Sequence, residues 1–177
     1  MRIITGIYKG RRFDIPHTFK ARPTTDFAKE NIFNVLNSYI DFEDATALDL
    51  FAGTGSISLE LLSRGCQQVV SIEKDRDHHA FIRQCVQKLG ADNSVVIRGD
   101  VFRYIKSCSQ QFDFIFADPP YQLTELAQIP DLIFEKDLLK EEEGIFVLEH
   151  GAQNDFSNHP HFVEHRKYGS VNFSIFQ

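Results

Sequence analysis

The sequence predicts a three-layer α/β/α domain. A mostly parallel sheet is covered by helices on both faces, with a C-terminal antiparallel hairpin and a small N-terminal β-hairpin. Three observations carry that prediction. From Ala45 onward, short and nearly continuous apolar runs alternate with helical patterns, as parallel strands buried on both faces require. The first run leads through Gly53 and Gly55 straight into a helical pattern, and the second ends on an acid, Glu73. At the far end, Phe162–Tyr168 and Val171–Phe176 flank Gly169-Ser170 as two strands about a turn.

In chain order, Arg2–Tyr8 alternates, turns at Lys9-Gly10 and returns over Arg11–Ile15, a hairpin that ends at Pro16. Thr24-Thr25-Asp26 supplies N-cap chemistry. Phe27, Ile32, Val35, Leu36 and Tyr39 follow at helical spacing, which predicts a helix within 24–40. The α/β grammar then gives a strand over Ala45–Phe51 and a helix over Ile57–Arg64 stopped by Gly65. A strand over Gln68–Glu73 precedes a helix over Asp75–Leu89 closed by Gly90. A strand over Val95–Arg98, a short helix near Phe102–Ser107 and a strand over Phe112–Ala117 come next. A helix over Ile129–Leu139, a strand over Gly144–Glu149 and the final hairpin complete the chain.

The 177 residues suit one domain, 1–177, with residues 1–22 as a basic hairpin appendage, 24–40 as a connecting helix and 45–177 as an α/β core. No stretch approaches the ~18 to 20 apolar residues of a membrane span, and the start has no apolar signal-peptide core, so a cytoplasmic protein with no membrane partner is expected. Cys66, Cys85 and Cys108 are odd in number and widely spaced, which fits neither a disulfide scaffold nor a zinc site. His159, His161 and His165 lack a fourth ligand and read as a surface loop, so no metal is expected. The formal net charge of −6 argues at face value against a nucleic-acid partner. Residues 1–29, however, hold seven basic side chains (Arg2, Lys9, Arg11, Arg12, Lys20, Arg22, Lys29) against two acids, a local +5 attached to a −11 remainder. Screening over about 8 Å makes such a patch, not the total, the field that a docking polyanion meets.

Ligands of parallel sheets bind beyond the carboxyl ends of the strands, and three of those ends are chemically loaded here. In Asp49-Leu-Phe51-Ala-Gly53-Thr-Gly55, the two glycines permit a tight turn and close ligand approach. A dinucleotide fingerprint wants a third glycine where Ser58 stands, and no Walker lysine follows Gly55. Glu73, eighteen residues after Gly55, is placed to accept from a ribose diol, so an adenosine-bearing ligand is expected. Asp100 can accept from an adenine amine over Val101, or cap the following helix, or both. In Asp118-Pro119-Pro120-Tyr121, two prolines fix the backbone and leave rigid carbonyl acceptors beside the Asp118 carboxylate. Together they can hold both N–H bonds of an amino group conjugated to a base, while Tyr121 offers a stacking face. Such hydrogen bonds aim the nitrogen lone pair at an electrophile.

These segments resemble the class I S-adenosylmethionine-dependent methyltransferases that carry Asp/Asn-Pro-Pro-Tyr/Phe. The opening Met1-Arg-Ile-Ile-Thr-Gly-Ile-Tyr-Lys-Gly-Arg-Arg12, then Arg22-Pro-Thr-Thr25, then Leu48–Ser56 and the closing Tyr168-Gly169…Ser174-Ile-Phe176 narrow the resemblance to the bacterial 16S rRNA guanine-N2 methyltransferase (RsmD-like) family. It covers essentially the whole chain. The resemblance implies a Rossmann-like class I methyltransferase sheet, S-adenosylmethionine as cofactor and S-adenosylhomocysteine as product. It further implies that Asp49, Phe51, Gly53 and Gly55 line the methionine side, that Glu73 takes the ribose, and that Asp100 with Val101 takes the adenine. Thr24, with Arg22, would sit over the cofactor mouth, and Asp118, Pro119, Pro120 and Tyr121 would hold the target amine. Arg2, Lys9, Arg11, Arg12 and Arg22 would meet RNA. The implied partner is 16S rRNA; because the basic element is small, a partly assembled small ribosomal subunit is expected to present the base, and a monomer is expected to act on it. Phe27 and Ala28 stand where relatives often have basic residues, which lowers the expected RNA contribution of that helix.

Other readings fit less of the chain. A dinucleotide oxidoreductase leaves Ser58 unexplained and Asp118–Tyr121 idle. A DNA adenine-N6 methyltransferase shares both motifs but needs a target-recognition region for which 177 residues leave little room. A protein-glutamine methyltransferase usually begins its tetrad with Asn. An inert RNA-binding module has no use for an intact site, and base C5 methylation lacks a Pro-Cys nucleophile.

Overall fold

A computed structural model describes residues 1–21 and 23–177; Arg22 lies outside the described residues. The sheet has seven strands: β1 (Thr46–Leu50), β2 (Gln68–Glu73), β3 (Ser94–Arg98), β4 (Phe114–Ala117), β5 (Ile145–His150), β6 (Phe162–Tyr168) and β7 (Val171–Phe176). They lie in the order β3-β2-β1-β4-β5-β7-β6. β3 through β5 are mutually parallel, and β7 joins β5 antiparallel with β6 outside it. The chain builds β1, β2 and β3 toward one edge and then returns to place β4 on the other side of β1. The topological switch point, where such sheets open a ligand crevice, therefore lies between β1 and β4.

The helices are α1 (Asp26–Leu36), α2 (Ser56–Ser63), α3 (Arg76–Leu89), α4 (Val101–Ser107) and α5 (Ile129–Glu135). Strand alternation sends Ala47, Phe114, Phe116, Ile145 and Val147 into one core with α1, α2 and α3. Leu48, Leu50, Ile115, Phe146 and Leu148 enter a second core with α4 and α5. Thr25 caps α1 by accepting from the Ala28 amide, and Asp75 caps α3. α1 stops at Leu36, short of Tyr39. α5 stops at Glu135, not Leu139, because Asp137 takes a left-handed φ of 54° that a helix cannot continue. Phe112 lies before β4 and instead bridges Leu139.

The N-terminal segment departs most from expectation. Its two arms run antiparallel but form one bridge, Arg2 with Arg12, and the stretch between is turn. Backbone hydrogen bonds still join the arms, from the Ile3 amide to the Arg11 carbonyl (3.0 Å), from Gly10 to Ile3 (2.9 Å) and from Phe13 to Met1 (2.9 Å), so a short hairpin forms, and its tip is bound to α2. Glu60 accepts from the amides of Ile4 (2.9 Å) and Thr5 (3.1 Å), and the Ser63 carbonyl accepts from the Ile7 amide at 2.9 Å. A Cβ at Gly6, which has φ +95°, would lie 1.9 Å from that carbonyl oxygen, so only glycine permits this approach. All eight residues of α2 are consequently buried, Glu60 among them. Lys29 follows it into the interior, reaching the Arg2 carbonyl (2.7 Å), Ser56 Oγ (3.1 Å) and the Glu60 carboxylate (3.9 Å). Arg64 completes this buried ion cluster from the other side of Glu60.

Candidate active site

A cleft of about 1200 Å³ opens at the carboxyl ends of the parallel strands, over the switch point. It gathers eleven of the sequence-predicted residues into its lining: Thr24, Asp49, Phe51, Gly53, Glu73, Asp100, Val101 and the run Asp118 to Tyr121. Gly55 is set back. At φ +82°, a Cβ there would meet Ile82 Cγ1 at 3.0 Å, so this glycine serves the close packing of α2 on α3. Arg2, Lys9, Arg11 and Arg12 lie outside the cleft, on the N-terminal segment, and Arg22 falls outside the described residues.

Each side chain is held by a local device. Asp49 points from β1 into the interior and accepts from Ser58 Oγ, which also meets Ser71 Oγ at 2.6 Å. The position that a dinucleotide fingerprint reserves for glycine thus carries a hydroxyl that anchors a buried acid. Burial raises the Asp49 pKa to about 7; the Ser58 hydrogen bonds oppose the shift and the Glu73 charge adds to it. Glu73, at the tip of β2, accepts from the Gly53 amide at 2.6 Å with one oxygen and from the Asp75 amide at 2.9 Å with the other. The carboxylate therefore braces the glycine turn and retains lone pairs toward the cleft. Asp100 caps α4 by accepting from the Arg103 amide (3.1 Å), while buried Val101 and the Phe51–Phe102 ring pair (6.1 Å) form an apolar wall beside it.

Asp118 leaves β4 opposite the glycine turn, since Ala117 is in register with Leu50 on one side and Leu148 on the other. Its carboxyl is pushed well above the usual carboxylate range by burial, then by the charges of Glu149 and Asp49. The sequence does not single out Glu149, although it predicts the strand that carries it. Glu149 is buried at the cleft edge, accepts from Tyr121 Oη at 2.8 Å and Thr24 Oγ1 at 3.4 Å, and is itself raised by burial. Its signal is adjacency of β4 and β5, which strand patterning does not disclose. Three acids, Asp49, Asp118 and Glu149, thus form the floor, with Lys20, Lys74 and Arg76 at the lining further out. Such a floor favours a cationic or amine-bearing ligand. It opposes a pyrophosphate, because the Gly53 amide that would meet a phosphate is already taken by Glu73. That contact tells against the oxidoreductase reading.

The remaining candidates have structural partners. Cys66 and Cys85 are buried free thiols whose pKa values burial pushes up to about 12 and about 11. His159 meets Asp131 at 3.0 Å, His161 stacks on Phe134, and His165 meets Asn172 at 2.9 Å.

Comparison with known proteins agrees along the whole length. The family described as conserved hypothetical protein 95 matches residues 1–177. The Escherichia coli (strain K12) ribosomal RNA small subunit methyltransferase D is 31% identical over 100% of this chain and 89% of its own. The protein of the same name from Buchnera aphidicola subsp. Baizongia pistaciae is 28% identical over 99% and 91%. Among solved structures, the E. coli protein yhhF superposes with a TM-score of 0.86 at 28% identity, covering 100% of this chain and 97% of that one. A Thermus thermophilus 16S rRNA N2 methyltransferase, RsmC, solved with AdoMet and guanosine, shares the fold at a TM-score of 0.71 and 17% identity over 92% of this chain and 46% of that one. The chain is thus a member of the conserved hypothetical protein 95 family, the family of the small-subunit rRNA methyltransferase D proteins, and its sheet is that of the class I methyltransferases.

Proposed function

We propose that this protein transfers the methyl group of S-adenosylmethionine to the exocyclic N2 amine of one guanine in 16S rRNA. The observation that carries the reading is the placement of Asp118 and its two prolines at the switch point, facing the glycine turn across the cleft. The names of the full-length relatives support rRNA as the substrate class.

The donor set fits the cofactor. Glu73 keeps lone pairs for the ribose hydroxyls, Asp100 with Val101 suits the adenine, and Asp49, Phe51 and Gly53 border the methionine side. When bound, the cofactor supplies a methyl group on a cationic sulfur, a charge that the Asp49 and Asp118 carboxyls favour. The chain's own work is orientation. Asp118 and the Pro119 carbonyl accept the two N–H bonds of the amine, which localises the nitrogen lone pair and aims it along the line of attack. Tyr121 offers its ring to the base, and its hydroxyl is pinned by Glu149. After transfer the amine gives up a proton to Asp118 or to water. The raised proton affinity of Asp118 suits it to that step. No metal has a role in this scheme. The substrate is rRNA inside a partly assembled small subunit in the cytoplasm, and the enzyme works as a monomer that meets RNA through Arg2, Lys9, Arg11, Arg12 and Arg22.

The test is transfer of labelled methyl from S-adenosylmethionine to small subunits and to naked 16S rRNA purified from a strain lacking the gene, followed by nucleoside analysis. Label in N2-methylguanosine is expected. Label confined to another nucleoside, or none in either substrate, would overturn the reading.

A further inference from the structure

Glu149 has no part in amine orientation as derived above, yet it occupies the most constrained place next to it. Leu148 pairs with Ala117, so Glu149 and Asp118 leave adjacent parallel strands side by side, with backbones about 4.8 Å apart. Leu148 and Ala117 both face the second core, and strand alternation turns the next residue of each chain to the opposite face, where Asp49 also lies. The Glu149 carboxylate is buried and borders the cleft. Its two oxygens accept from Tyr121 and Thr24, and each carboxylate oxygen has a second lone pair. Among the described residues no lysine or arginine pairs with it. An acceptor without a cation, held beside an amine-binding acid, is a position made for a second neutral donor on the same ligand.

We propose that Glu149 selects the target base by accepting the N1–H of guanine beside the N2 amine held by Asp118, an inference that rests on the guanine-N2 reading of this site. Guanine presents N1–H and N2–H as adjacent donors on one edge. Adenine presents an amine next to a bare N1 acceptor, whose lone pair would face the Glu149 oxygens. A site built to receive an N–H rejects an analogue that lacks it, because a buried lone pair is then left without its donor. Two neighbouring carboxyls therefore discriminate where Asp118 alone, which needs only an amine, does not. Thr24 and Tyr121 hold the Glu149 carboxylate in place from two sides, so the segment before α1 and the tetrad both contribute to the choice of base.

The test uses an rRNA fragment with either guanine or 2-aminopurine ligated at the position to which the label maps in nuclease fragments of 16S rRNA. 2-Aminopurine keeps the N2 amine and lacks the N1–H. Wild type should prefer guanine in kcat/KM by on the order of 100-fold, the loss expected for one buried lone pair left without a donor. Glu149→Gln, whose amide can also donate to a bare N1, should cut that preference by about tenfold or more. Near-equal use of the two bases by wild type would overturn the proposal without touching the N2 reading. An unchanged preference in an active Glu149→Gln would do so too, leaving Glu149 as a brace for Tyr121. If the variant is unfolded or inactive, the wild-type ratio decides. Methylation of neither substrate by wild type would overturn the N2 reading and this inference with it.

Discussion

The floor of the cleft and the N-terminal segment both concentrate charge, and they hold it in opposite ways. On the floor, Asp49, Asp118 and Glu149 are carried by adjacent strands and pushed toward higher proton affinity by burial, and Asp49 and Glu149 accept hydrogen bonds from neutral groups. In the N-terminal segment the cations are dispersed among other tasks. Arg2 pairs with Asp26 at 3.0 Å, Arg11 donates to the Lys88 carbonyl at 3.0 Å, and Lys29 is buried with Glu60. Lys9, Arg12 and Lys20 remain as exposed charges. Acids kept in the interior without counter-cations oppose folding, so their presence marks a site shaped for a ligand. The basic residues, by contrast, divide between holding the fold and facing solvent, and their formal +5 overstates what an RNA would meet.

Breaking the floor should have the largest effect. Asp118→Ala removes the proposed amine acceptor and should lower turnover by about 1000-fold or more, while the affinity for S-adenosylmethionine in a calorimetric titration changes only a few-fold. Comparable losses of both would mean that Asp118 belongs to cofactor binding. The N-terminal segment should answer first in stability. Glu60→Gln strips the charge from a buried carboxylate that holds Lys29, Arg64 and two backbone amides, and should cost about 3 to 5 kcal/mol in chemical unfolding. A loss below about 1 kcal/mol would mean that the segment is only loosely attached.

Asp49 sharpens the contrast through pH. An unfolded Asp titrates near 4, and the folded residue at about 7, so the folded state holds an extra proton in that window and loses stability as pH rises through it. Asp49→Asn should therefore stabilise the ligand-free protein at pH 8, by up to about 4 kcal/mol, and change little at pH 4. Thermal unfolding at the two pH values checks the sign. The smallest effects belong to the surface. Arg12→Glu should weaken rRNA binding several-fold and flatten its salt dependence, with Arg11→Glu weaker than Arg12→Glu because Arg11 is already engaged with Lys88. Equal affinities across salt would remove the segment from the RNA interface.

The difference between the regions also explains how much was legible in the sequence. Strand and helix periodicity, the glycine turn, Glu73 and the Asp118 tetrad are local patterns, and the structure gathers them into one cleft. What escaped depends on neighbours distant in sequence. Glu149 matters because β5 lies beside β4, and the burial of Lys29 follows from Glu60 standing on α2 beneath the N-terminal segment. Lys29 looks like any surface lysine on an amphipathic helix until its partner is known. The N-terminal hairpin is shortened by the same kind of contact: the Ile3 and Phe13 amides still pair across its arms, whereas α2 takes the Ile4, Thr5 and Ile7 amides.

On the proposed function, the acid-floored cleft methylates guanine N2 in 16S rRNA through Asp118. The most direct measurement is a map of modified nucleosides in 16S rRNA from a strain lacking the gene, complemented in turn with wild type and with Asp118→Ala. One N2-methylguanosine should vanish on deletion, return with wild type and stay absent with the variant. An unchanged map on deletion, or full restoration by Asp118→Ala, would contradict the account.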